Sequence, residues 1–105
     1  MTHIRNYVDS DYDAVKDLYL QSDLYGGQFD EARDSRERLA AVTAQRSDAI
    51  LVWQKNSKIM GTVSLIDDGR VALLFRFAVK KGEHEETVTQ ELFKAACDIF
   101  LARRH

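Results

Sequence analysis

Proline is absent, cysteine occurs once and glycine five times in the 105 residues. A single thiol closes no internal disulfide, so the fold must rest on packing rather than on cross-links. Without proline, no helix is broken by a ring clash. Apolar runs of membrane-spanning length are missing, and no basic segment followed by an apolar stretch opens the chain. Neither secretion nor membrane insertion is expected, and the cytoplasm is the expected location. A surplus of one charge is also lacking. The 15 basic and 17 acidic side chains are mixed along the chain, the formal net charge is -2, and no Lys/Arg block forms a phosphate-binding stripe. Nucleic acid is therefore not an expected partner. His3, His84 and His105 show no spacing that suits a closed metal site, and no GxxxxGK[ST] sequence is present.

What is present is the balance of a small globular domain, with 45% hydrophobic and 30% charged residues. Residues 1–105 read as a single domain, in which the loss of any structural element would matter for stability. Ile4, Tyr7 and Val8 mark a short strand over residues 3–8. Ser10, with Asp13 three residues on, predicts a capping box before a helix whose apolar stripe is Ala14, Val15, Leu18 and Tyr19. Residues 22–30 contain Gly26 and Gly27 and little periodicity, so they read as a loop. Asp34 with Glu37 predicts the cap of a second helix that ends near Arg46.

The period then changes. Residues 49–53 form an apolar run, residues 55–58 a polar turn, and residues 59–66 are rich in apolar and β-branched side chains. Asp67, Asp68 and Gly69 predict a second turn, from which residues 71–79 return antiparallel. Val88, Leu92, Ala95, Ala96 and Ile99 then recur at helical steps, with Phe93 and Phe100 widening the stripe and Arg103 and Arg104 at the negative end of the dipole. The expected class is α/β in the order β-α-α-β-β-β-α. Cys97 reads as a small residue of this last helix, since a nucleophile would need a base and an electropositive setting.

This order resembles the N-terminal two-thirds of the GNAT superfamily of N-acetyltransferases. His3-Ile4-Arg5 with Asp11-Tyr12-Asp13-Ala14-Val15 is similar to the family's opening strand and first helix. Ile59-Met60-Gly61-Thr62-Val63 is similar to its third-strand phrase, and Phe77-Ala78-Val79 stands where its fourth strand leads into the cofactor loop. The resemblance implies acetyl-CoA as cosubstrate, held along the backbone of Phe77, Ala78 and Val79, and an amine on a small molecule or protein as acceptor. In the family, a Gln or Arg, two residues, Gly, one residue and Gly or Ala hold pyrophosphate at the helix N-terminus. Counting back from Leu92-Phe93 places that motif on residues 84–89, with His84, Thr87 and Thr89 at its key positions. Thr87 and Thr89 would crowd the cradle, and Glu83, Glu85 and Glu86 would repel a polyanion, with Lys80, Lys81 and His84 as a partial offset. Acidic capping of the helix is the reading these carboxylates favour.

No residue is assigned as a catalytic base. Arg76 stays protonated, Glu83 and Glu85 read as exposed, and Asp23, Asp30 and Glu31 read as loop carboxylates near where an amine would be recognised. Tyr7, Tyr12, Tyr19 and Tyr25 read as packing residues. The family's later strands and helix, with its tyrosine acid, have no counterpart here, so the chain alone is expected to be inactive. A noncatalytic interaction domain derived from the same fold is the alternative. The edge left by residues 71–79 would suit a homodimer through the fourth strand or the terminal helix, with Arg76 as a charge opposing it.

Overall fold

Four strands, β1 (Ile4–Asn6), β2 (Ile50–Lys55), β3 (Lys58–Asp67) and β4 (Ala72–Val79), pair antiparallel in the order β1-β2-β3-β4. A computed structural model describes residues 3–21, 29–67 and 70–103. The sheet carries α1 (Tyr12–Gln21), α2 (Glu31–Asp34) and α3 (Arg36–Gln45) ahead of the meander, and α4 (Glu85–Arg103) after it. This is the expected α/β order, with the second helix divided in two.

Period-two alternation splits β2 between two cores. Ile50 and Val52 join Val15, Leu18, Tyr19 and Leu39 on one face, whereas Leu51 and Trp53 join Val63, Leu65, Val88 and Leu92 on the other. Burial on both faces is why residues 49–53 read as an unbroken apolar run. The β2-β3 hairpin closes through Asn56 and Ser57, both at positive φ (51° and 68°), the handedness that a two-residue turn requires. Gly61 lets α4 settle on β3: a Cβ there would lie 2.5 Å from Val88 Cγ1 and 2.9 Å from Leu92 Cδ1. The indole N–H of Trp53 donates to Glu91 Oε1 at 2.7 Å, and Arg103 bonds Asp48, so α4 is tied to the sheet region within its length and at its C-terminal end.

Both expected helix caps are displaced by arginine. Residues 9–11 form a 3-10 turn, and Asp11 rather than Ser10 closes it by accepting from the Val8 N–H at 2.9 Å. Arg5 donates to both Asp11 oxygens at 2.7 and 2.9 Å, a bidentate pairing that a hydroxyl cap cannot match. Asp13 stays exposed. Similarly, Ser35 Oγ caps α3 by accepting from the Arg38 N–H at 3.2 Å, while Asp34 ends α2 with its carboxylate turned inward. Cys97 is half-buried. Among the described residues, no helix is long and apolar enough to cross a membrane. Expectations placed on Asp23, Tyr25, Gly26, Gly27, Asp68, Gly69, Arg104 and His105 fall outside the described residues.

Candidate functional site

A bulge in β4 organises the site. Thr62 faces Ala78 and Ser64 faces Phe75, so Val63 alone stands opposite Arg76 and Phe77. Arg76 absorbs the extra residue at φ 53°, a left-handed conformation that costs an L-residue about 1–2 kcal/mol. The bulge also breaks the alternation of faces. Leu74, Phe77 and Val79 pack toward α4, while Phe75 and Arg76 both turn to the side covered by α1, α2 and α3.

Arg76 is held there by Asp34. Its Nε donates to Oδ1 at 3.0 Å and its Nη2 lies 2.8 Å from Oδ2, with both side chains only 2% exposed. The Asp30 N–H donates to Asp34 Oδ2 at 2.9 Å, and the Tyr12 hydroxyl donates to the Asp34 carbonyl at 2.8 Å. The Arg76 guanidinium also lies 4.8 Å from the centre of the Phe75 ring. Far from guarding an outer edge, as its place in the sequence suggested, Arg76 is a buried cation joining β4 to α2. The available signal was one charge inside the apolar strand ALLFRFAV, since a buried cation needs a carboxylate.

Beside this pair lies a pocket of about 470 Å³ that sequence reasoning did not anticipate. Leu39, Val42, Ala49, Ile50, Ile66 and Phe75 supply its apolar wall, and Arg33, Arg38, Asp34, Arg76, Ser64 and Tyr19 its polar groups. The Tyr19 hydroxyl is buried, with Ser64 beside it but out of good hydrogen-bonding geometry. Burial raises the pKa of this phenol well above its usual value, more than Ser64 lowers it, so it stays protonated at neutral pH.

The expected cofactor turn follows β4. The Lys80 N–H bonds the Met60 carbonyl at 2.8 Å, Gly82 sits at φ 145° in open space, and the Glu85 and Val88 N–H groups bond Gly82 and His84 carbonyls at 3.2 and 3.0 Å. His84 is half-buried, with Nε2 3.5 Å from Glu83 Oε1, while Thr87 and Thr89 are exposed in the first turns of α4. Glu85 and Glu86 are exposed in the same first turn. Phe77 and Val79 are half-buried under α4, and Ala78 is buried on the opposite face. Asp30 caps α2 through the Ala32 N–H at 2.8 Å, and Glu31 is exposed. Among the described residues, no three His, Cys, Asp or Glu side chains converge to hold a metal.

Comparison with known proteins locates this architecture. No family model and no curated protein sequence matches the chain. Solved structures do. The PaiA N-acetyltransferase from Thermoplasma acidophilum, solved in complex with coenzyme A, superposes with a TM-score of 0.74 at 19% identity, over 95% of this chain and 72% of that one. A protein of Pyrococcus horikoshii assigned as an acetyltransferase gives 0.69 at 16% identity, over 91% of this chain and 33% of that one. The ribosomal-protein-alanine N-acetyltransferase of Brucella melitensis gives 0.60 at 15%, over 91% and 67%. The fold is therefore a partial GNAT fold, and the chain spans from about a third to about 70% of these neighbours.

Proposed function

We propose that this chain provides the thioester-holding strand and the acceptor pocket of an N-acetyltransferase site, for transfer of acetyl from acetyl-CoA to an amine. The bulge in β4 carries this reading, because it turns Phe75 and Arg76 into the pocket lining directly ahead of Phe77, Ala78 and Val79 in the same strand. In such a transfer a neutral amine attacks the thioester carbonyl carbon. The C–N bond forms, the C–S bond breaks, the nitrogen loses a proton and the departing sulfur gains one. Arg76 cannot take that proton, but its charge and the Tyr19 hydroxyl polarise the pocket wall. PaiA, solved in complex with coenzyme A, supports coenzyme A as a ligand of this fold.

The pyrophosphate turn fits that ligand with reduced strength. Gly82 leaves open space, and a helix start is where backbone amides meet phosphate, although the Glu85 N–H is already bonded to the Gly82 carbonyl. Lys80, Lys81 and His84 would assist, with Thr87 and Thr89 beside them. Glu83, Glu85 and Glu86 oppose. Those three exposed carboxylates favour a second reading, an interaction domain that keeps the fold without the cofactor.

Calorimetric titration with acetyl-CoA decides between the two readings. The native chain is expected to bind saturably, and the Glu85→Gln/Glu86→Gln variant about three- to tenfold more tightly at low salt, with the gap closing as salt rises. Absence of binding by both at millimolar ligand would leave the interaction reading standing.

A further inference from the structure

The charges around the 470 Å³ pocket are unbalanced. Its lining holds three arginines, Arg33, Arg38 and Arg76, against one carboxylate, Asp34. That carboxylate is already committed: one oxygen accepts from Arg76 Nε, and the other faces Arg76 Nη2 and accepts from the Asp30 N–H. Arg33 is shared with Asp30, 3.8 Å away on the outer side. Arg38 is different. It forms no ion pair among the described residues, and its Nε donates only to the Ala32 carbonyl at 3.4 Å, over the corner between α2 and α3.

An alkylammonium entering this pocket would meet a cationic mouth and no available carboxylate among the described residues. A carboxylate would meet Arg38, and its hydrocarbon could cover Val42, Leu39, Ile50 and Ile66, of which Val42 and Ile66 are now substantially exposed. Deeper in, the Tyr19 hydroxyl offers a donor that has no well-formed bond among the described residues.

We propose that this pocket binds a compact, mainly apolar carboxylic acid, with its acid group at Arg38 and its body on the aliphatic wall. The inference deepens the reading of the pocket as the acceptor side and rests on it for its physiological meaning: the acceptor amine would itself carry an acid group, as an apolar amino acid does, and would not be a polyamine.

Binding is tested without coenzyme A, so it can succeed or fail independently of the cofactor. Phenylpropionate, phenylpropylamine and phenylpropanol are titrated into the chain while the methyl resonances of Leu39, Val42, Ile50 and Ile66 are followed. Phenylpropionate is expected to shift these methyls saturably, with an affinity about tenfold above that of the amine. Arg38→Gln, at an exposed position, is expected to bring acid and alcohol within about twofold of each other. Ile66→Glu, which places a carboxylate at the mouth, is expected to reverse the order of acid and amine. Equal or tighter binding of the amine by the native chain, shifts confined to other methyls, or no binding of any probe at millimolar concentration would overturn the proposal.

Discussion

Arg76 adopts a backbone conformation that arginine disfavours, and the compensation comes from what its side chain reaches. The guanidinium meets Asp34 in a pairing that is almost wholly buried, and Asp34 is further bonded by the Asp30 amide. Replacing Asp34 with Ala strands a cation in an apolar interior, and urea unfolding should show a loss of about 3–5 kcal/mol. Replacing both partners, Asp34→Leu with Arg76→Met, should recover most of that loss, because the desolvation of two charges disappears with them. If the double variant were no more stable than Asp34→Ala, the pair would not be the source of the cost. Asp11 acts through pH. Burial alone would raise its carboxyl pKa, but the Arg5 hydrogen bonds and the Val8 amide outweigh burial and hold it below the ordinary value. A depressed folded pKa gives stability that is full above the unfolded value of about 3.9 and fades as pH falls through the folded one. Unfolding midpoints measured between about pH 5 and pH 2 should therefore fall less steeply for Asp11→Asn than for the native chain.

Elements were legible where one face or two carried a period. The helical stripe of Leu92 and Ala96 and the two-sided apolar run of β2 are patterns that packing alone produces, and α4 and β2 lie where those patterns place them. The caps were not legible, because Asp11 and Asp34 each look like local helix-start residues. What claims them is an arginine from a strand, Arg5 of β1 for the first and Arg76 of β4 for the second. The bulge was hidden for the same reason: an inserted residue leaves composition unchanged and shows only when the register with β3 is known. Gly61 was noticed as part of a phrase, but its reason lies in the descent of α4 onto β3. Gly61→Ala should destabilise the fold by about 1–3 kcal/mol in urea unfolding, since the new methyl overlaps Val88 and Leu92. In a double-mutant cycle, Val88→Ala should cost less in the Gly61→Ala background than alone, and strict additivity would contradict the proposed overlap.

At the scale of the whole molecule, the sheet divides two kinds of work. On one face lie α4 and the turn at Gly82, to which the proposed function assigns the ligand's phosphates; on the other, α1, α2 and α3 enclose the pocket. β4 belongs to both sides, and its bulge is the point where they meet. That pocket was invisible in the sequence because its lining comes from six separate elements and the segment between α3 and β2. The most direct test of this arrangement asks where coenzyme A rests. Nuclear Overhauser contacts between the pantetheine methyls of bound acetyl-CoA and the protons of Phe77, Ala78 and Val79 are the predicted result, with amide shifts continuing through residues 80–89. A ligand whose contacts fall elsewhere on the molecule, or a chain whose residues 77–89 remain unshifted at saturating ligand, would contradict it.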